Sequence, residues 1–149
     1  MTANDAARFM VNLCIDDGHP ISNLQLQKIL YFCQLESYRN TGEPLFSDDF
    51  EAWRYGPVVP SVYSLFSIFG GLSISHAVKE GTPLAGVDKD IVQDVTRNLR
   101  GLPPWELVAK THSDGSPWAL TYRDGAGAGD VIPKELIRES AFSPSAMFF

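Results

Sequence analysis

The chain has 149 residues, the length of one ordinary domain, and 44% of them are hydrophobic against 20% charged. This balance supplies enough apolar side chain to close a core, and it excludes an intrinsically disordered chain. Eighteen acidic residues against twelve basic ones give a net charge of -6. Because an acidic protein has no overall positive field to attract phosphate, the charge argues against nucleic acid as the main partner.

The cysteines, the histidines and the first residues exclude further classes. Cys14 and Cys33 form no C-x-x-C pair, so neither a usual zinc spacing nor a disulfide framework is indicated. The three histidines share no metal-binding spacing. The chain shows neither the pattern of a signal peptide nor eighteen uninterrupted apolar residues. We therefore expect no metal, no other cofactor, no membrane association and a cytoplasmic location.

Two helices are predicted at the start of the chain, and the second is expected to organise the fold. The first spans about Asn4 to Ile15, and the second begins at Ser22, an N-cap with Gln25 in capping-box position, and ends near Asn40. The second helix carries apolar stripes on opposite sides, so it should lie centrally with packing partners on both. The stripes are Leu26, Ile29, Leu30 and Cys33, and Leu24, Tyr31, Leu35 and Tyr38; a seam expected to be exposed holds Gln25, Lys28, Glu36 and Arg39.

Extended chain, a turn and a helix are predicted between residues 50 and 71. Side chains alternate from Phe50 to Tyr55 as in a strand. Tyr55-Gly56-Pro57 indicates a turn, because glycine allows a positive φ and proline fixes its own. A helix is then expected from Pro60, a residue suited to a first helical turn, to about Phe69.

The second half of the chain predicts a loop followed by more helices. Residues 71–87 indicate a loop with at most an edge strand, and Gly125 to Gly129, which lacks the residues of a phosphate-binding loop, indicates a flexible connector. Helices are expected over about 88–100, 103–111, 116–125 and 133–141, the third with Ser116 as N-cap and Pro117 at N1. The expected fold is mainly α (α+β), a compact bundle of about six helices around the central helix with one or two short strands. We expect one domain over residues 1–142 and a C-terminal tail over 143–149.

A nucleophilic site can be assembled only on paper. Cys33, His112 and Asp114 are the residue types of a cysteine hydrolase, which needs a base beside the nucleophile and a group that orients the base. Cys33, however, lies on an apolar stripe, where a thiol stays protonated and inert. His112 also has a structural role open to it at a predicted helix end. The sequence therefore favours no catalytic residue and no enzyme.

The segment from Ala52 to Tyr63 has a structural and a functional interpretation. As structure, Trp53 and Tyr63 would pack at a corner against the central helix. As function, Trp, Tyr and Arg on a rigid turn are the residue types that dominate protein interfaces. We expect Arg54 and Tyr55 to be the more exposed pair.

Several motifs together resemble the Panacea domain, the family of SocA-like antitoxins and phage-associated proteins. The most specific is Ala52-Trp53-Arg54-Tyr55-Gly56-Pro57-Val58-Val59-Pro60; the others are Leu24 to Phe32, Pro44-Leu45-Phe46, Thr111-His112-Ser113, Ser116-Pro117-Trp118 and Val131-Ile132-Pro133. Their order covers most of the chain, to about Phe142. Signature residues that we expect to be structural are Leu26, Tyr31, Trp53, Gly56, Pro57, His112, Pro117 and Trp118.

The resemblance implies a helical antitoxin that binds a toxin protein, usually one encoded by an adjacent gene, and it brings no catalytic role. Such a protein either masks its toxin or presents the toxin to a protease as an adaptor, and the sequence leaves both open. A small hydrolase is a weaker alternative. Our candidate partner-binding residues are Lys28, Glu36, Arg54, Tyr55 and Tyr63.

Overall fold

A computed structural model describes residues 1–143 and confirms the mainly α fold. Within these residues there are seven α-helices, one for each helical segment predicted above, and one antiparallel pair of strands. Residues 144–149, most of the predicted tail, lie outside the described part. The elements are α1 Ala3–Asp16, α2 Asn23–Thr41, β1 Glu51–Trp53, β2 Gly56–Val58, α3 Pro60–Leu65, α4 Gly86–Leu99, α5 Pro104–Thr111, α6 Pro117–Tyr122 and α7 Lys134–Ala141.

Helix α2 is the centre of the fold, as its two apolar stripes predict. It packs against α1, α3, α4, α5, α7 and β2, and most of its residues are buried. Its predicted capping box is confirmed: the Ser22 side chain accepts a hydrogen bond from the Gln25 amide, and the Gln25 side chain accepts one from the Ser22 amide. Gly42 ends the helix at φ +77, a conformation that glycine adopts without strain.

The exposed polar seam predicted on α2 is wrong at its most important position. Lys28 is completely buried, and so are the neighbouring amide side chains of Gln27 and Gln34. Backbone groups of the chain that follows α2 form hydrogen bonds with the side chains of Lys28, Gln27 and Gln34. Glu36 and Arg39 are half-buried and form an ion pair at 2.8 Å. A one-dimensional pattern of polar residues cannot show that a backbone segment will cover them.

The strand pair follows α2, and its turn lies earlier than expected. The turn residues are Arg54 and Tyr55, whereas Gly56 and Pro57 belong to β2. Pro57 lies opposite Ala52, whose amide donates to the Asp130 carbonyl and whose carbonyl accepts from the Gly129 amide. Because Ala52 forms these hydrogen bonds on the side away from β2, proline is tolerated opposite it.

The glycine-rich connector touches the rest of the fold closely at one position, although four of its five residues are exposed. The chain that follows the connector runs beside β1. There the Ile132 amide donates to the Phe50 carbonyl, and a β-bridge joins Glu51 to Val131. Gly127 is buried, and a Cβ there would collide with the Thr121 carbonyl oxygen. Gly127 therefore allows close backbone contact with α6.

The expected helix over residues 60–69 divides into two parts. Helix α3 ends at Leu65, and a 3₁₀ turn follows over Ser67–Phe69. The loop from 70 to 85 contains no helix or strand, as predicted, although Ser73 forms an isolated β-bridge with Ser22. The Ile74 amide donates to the Ile21 carbonyl at 2.8 Å, which holds this loop against the start of α2.

Candidate partner-binding surface

A buried lysine supports the strand pair from beneath. The Lys28 Nζ donates a hydrogen bond to the Pro57 carbonyl at 3.0 Å. Gly56 passes directly over the lysine at φ +117, and a Cβ there would lie 2.7 Å from Lys28 Cε and 2.8 Å from Thr111 Oγ1. Only glycine allows this backbone conformation together with this close approach. The glycine of the Tyr-Gly-Pro motif therefore follows from the packing of the strand pair on α2.

The environment of Lys28 disfavours its charged form. Burial lowers the pKa of Lys28 to about 7, since an ammonium group loses its hydration in the interior. Within residues 1–143, no carboxylate forms an ion pair with it. The pKa of His112 is lowered as well, first by burial and then by the charge of Lys28. Near neutral pH, the buried amine is therefore partly uncharged and His112 is neutral.

Three stacked rings brace the outer side of the strand pair. The Trp118 ring stacks on His112 with centroids 3.6 Å apart and on Tyr122 with centroids 4.7 Å apart. Its Nε1 donates to the Trp53 carbonyl at 2.7 Å. This bond ties α6 to β1, so two signature tryptophans meet through indole and backbone rather than ring to ring. Ser116 caps α6 with Pro117 at N1, as predicted.

The turn of the strand pair exposes Arg54 and Tyr55, the following helix α3 exposes Tyr63, and we call these three residues the hairpin corner. Arg54 is exposed, its guanidinium lies 5.3 Å from the centre of the Tyr55 ring, and Tyr55 is 56% exposed. Tyr63 is 40% exposed and packs edge-on against Trp53 with centroids 5.0 Å apart. The predicted exposure of Arg54 and Tyr55 is confirmed. An Arg and a Tyr on a braced turn, with a second Tyr on the adjacent helix, form a surface suited to a protein partner.

The five candidate partner-binding residues do not form one surface. The hairpin corner brings three of them together, whereas Lys28 lies in the interior and Glu36 is half-buried on α2. The lysine is therefore inaccessible to a partner, and its place is structural.

The signature residues that we expected to be structural lie in packed positions. Leu26, Tyr31 and Pro57 are buried, Pro117 is buried at the start of α6, and the other signature side chains are at least half-buried. Sequence reasoning missed two further residues of this framework, Gln27 and Gln34. Their position in a helix between apolar stripes was the available signal, since a buried amide side chain requires hydrogen-bond partners.

The side chains of Gln27 and Gln34 form hydrogen bonds with the backbone on either side of the strand pair. Gln34 accepts from the amides of Leu45 and Phe46 and donates to the Phe46 carbonyl at 2.9 Å. Gln27 accepts from the Val59 amide at 3.0 Å and donates to Asn23, which in turn donates to the Tyr63 carbonyl. The polar side of α2 thus fixes both ends of the segment that carries the hairpin corner.

The structure gives no support to a cysteine nucleophile. Cys33 is fully buried, and burial raises the pKa of its thiol. A cleft of about 310 Å³ opens between α2, α7 and the loop before α6; Asp114 lines it, but Cys33 and His112 do not. The three residues are therefore not presented together to a substrate. None of the helices in residues 1–143 has the length and apolar character needed to cross a bilayer.

Comparison with known proteins assigns the chain to a family. Residues 26–119 match the family described as antitoxin SocA-like, Panacea domain, and the chain belongs to this family. It is 36% identical over 127 residues to Antitoxin SocA of Caulobacter vibrioides (strain NA1000 / CB15N), an alignment that covers 75% of this chain and 68% of the relative. No solved structure matches the chain. The family and the relative support an antitoxin role, imply a toxin as the partner, and suggest a regulator without enzymatic activity.

Proposed function

We propose that this protein neutralises a cognate toxin by binding it directly, and that the toxin is the product of an adjacent gene. The observation that carries the proposal is the hairpin corner, where Arg54 and Tyr55 are exposed on a turn braced from two sides and Tyr63 is exposed on the following helix α3. Arginine and tyrosine supply much of the binding energy in protein interfaces. A braced turn also loses little conformational entropy on binding, which favours affinity.

The arrangement supports binding better than chemistry. The two titratable groups next to the strand pair have structural roles. Lys28 donates a hydrogen bond to the Pro57 carbonyl, and His112 stacks on Trp118. The exposed residues of the hairpin corner can contact a partner without taking part in a reaction. Neutralisation would then result from covering part of the toxin in an interface of ordinary size.

Growth of a bacterial host tests the proposal. The product of the adjacent reading frame is expressed alone, with this protein, and with the Arg54→Glu variant. We expect the toxin alone to stop growth, this protein to restore it, and Arg54→Glu to restore it poorly with an unchanged melting temperature. Lys89→Glu, which reverses an exposed cation on α4, serves as the matched control and should behave as the wild type. A toxin that is equally lethal with and without this protein would contradict the proposal.

The same experiment separates masking of the toxin from delivery to a protease. In a host that lacks its ATP-dependent proteases, a protein that masks its toxin still restores growth, and toxin levels stay constant. An adaptor fails to restore growth in that host, and in the ordinary host it lowers toxin levels. We expect rescue in both hosts.

A further inference from the structure

The segment after the hairpin corner exposes large apolar side chains. Ile68 is 88% exposed, Leu72 is 76% exposed, and Leu65 is also exposed. We call these three residues the apolar platform. Single exposed apolar residues are common on protein surfaces, but three within eight residues are typical of an interaction site.

The platform is held rigidly because the same segment is anchored from its inner side. Val62 and Phe66 are buried in the core, so this stretch is apolar on both faces. A helical segment with two apolar faces requires a packing partner on each, and within residues 1–143 only one face has it. Consecutive tight turns fix the outer face: Phe69 donates to the Phe66 carbonyl at 3.2 Å, and Leu72 donates to the Phe69 carbonyl at 3.0 Å.

Charge is missing from this part of the sequence. No Asp, Glu, Lys or Arg occurs in the 24 residues from Tyr55 to Val78, although the whole chain carries 30 such residues among 149. Charged residues are depleted at the centres of protein interfaces, where they would lose their hydration. The hairpin corner overlaps this uncharged stretch, since Tyr55 and Tyr63 lie within the stretch and Arg54 directly precedes it.

The net charge of the molecule indicates which partner covers the platform. A second copy would bring the same charge of -6, and the two copies would repel each other at long range. A basic protein with an uncharged apolar patch would be attracted at long range and would match the platform on contact. We infer that the apolar platform is the centre of the toxin-binding surface, that the hairpin corner is its rim, and that the toxin presents an apolar patch on a basic face. This inference rests on the proposed function.

Affinities of purified variants test it. The dissociation constant for the product of the adjacent gene is measured with the wild type, Ile68→Asp, Leu72→Asp and Trp105→Asp. Trp105, 71% exposed in the first turn of α5, is the matched control outside the platform. We expect each platform variant to bind at least about thirty-fold more weakly, the loss of one interface hot spot, and Trp105→Asp to bind as the wild type. Thermal melting of each variant confirms that the fold is kept.

The outcomes separate the inference from the proposed function. If the wild type binds the toxin and both platform variants bind equally well, the inference is wrong and the proposed function stands. If the wild type does not bind at all, both are wrong. Light scattering of the protein alone adds a third arm: a dimer that Ile68→Asp separates into monomers would show that a second copy covers the platform, which overturns the inference.

Discussion

Helix α2 and residues 60–72, which we call the α3 segment, reverse the usual distribution of polar and apolar residues. Helix α2 buries a lysine and two glutamines, whereas the α3 segment exposes an isoleucine and two leucines. The buried groups are stabilised because backbone atoms of the returning chain meet them at hydrogen-bond distance. No described part of the chain covers the exposed ones. Polar burial in this molecule therefore builds the framework, and apolar exposure marks the surface left for a partner.

The comparison predicts that the contact between α2 and the strand pair is the least tolerant of change. Gly56→Ala places a Cβ against Lys28 and Thr111 in a backbone conformation that alanine rarely adopts. We expect the free energy of unfolding to fall by about 3 kcal/mol, measured by urea denaturation. Gly101→Ala, where nothing lies within 4 Å, is the control and should stay within about 0.5 kcal/mol. Equal stability of the two variants would contradict the close approach over Lys28.

Removing the Gln34 side chain should lower the free energy of unfolding nearly as much as Gly56→Ala does. Gln34→Ala leaves the amides of Leu45 and Phe46 and the Phe46 carbonyl buried without their partner. We expect a loss of about 2 kcal/mol in the free energy of unfolding, because unsatisfied buried polar groups pay their full desolvation cost. Gln93→Ala on α4 changes the same residue type at a half-buried position, and its midpoint should match the wild type. A Gln34→Ala midpoint as high as that of the control would show that the hydrogen bonds of Gln34 contribute nothing.

The buried lysine predicts a pH dependence with a definite sign. The pKa of Lys28 is about 7 in the folded chain and near its ordinary value when unfolded, so above pH 7 the unfolded chain holds a proton that the folded one lacks. The contribution of Lys28 to stability therefore rises with pH, by about 2 kcal/mol between pH 7 and 9, and below pH 7 it no longer changes.

Lys28→Met should remove that rise. We expect the variant to be favoured relative to the wild type at pH 7 and to lose about 2 kcal/mol of that relative gain by pH 9, measured as the difference in the free energy of unfolding by urea. Taking the difference cancels the titration of the buried thiols, which is common to both proteins. Lys89→Met, at an exposed site, should keep the wild-type slope. A pH dependence unchanged by Lys28→Met would contradict the burial of a titrating amine.

The smallest effect on stability is expected at the apolar platform. Ile68→Ala should change the free energy of unfolding by no more than about 0.5 kcal/mol, because the side chain is already in water. Phe66→Ala, two residues earlier and buried, is the contrast and should cost about 3 kcal/mol. Thermal melting of the pair checks this. A large loss for Ile68→Ala would place that side chain in the fold rather than on its surface.

Sequence reasoning found the elements more readily than their packing. The helical spacing of apolar residues predicts α2 as the centre, and local capping chemistry predicts its start at Ser22 and the start of α6 at Ser116. The burial of Lys28 was missed because it depends on contact with residues about thirty positions further along the chain. Arg54 and Tyr55 are exposed as expected because they are the central residues of the turn, although the sequence pattern placed that turn one residue later, at Tyr55-Gly56-Pro57.

The exposed apolar residues could not have been recognised from the pattern. Leu65, Ile68 and Leu72 have the same chemistry as the buried Val62 and Phe66, and only the three-dimensional arrangement separates the two sets. Pro57 was placed in a turn because proline usually indicates one, whereas it lies in β2. Ala52, which lies opposite, forms its backbone hydrogen bonds on the side away from β2, so proline is tolerated there.

Direct binding is tested by size exclusion of the purified protein mixed with the purified product of the adjacent reading frame. We expect one co-eluting complex of fixed stoichiometry, which persists with Trp105→Asp and separates into its components with Ile68→Asp. Two separate peaks for the wild type, in the presence of growth rescue in the cell, would contradict direct binding and show that this protein counters its toxin by another route.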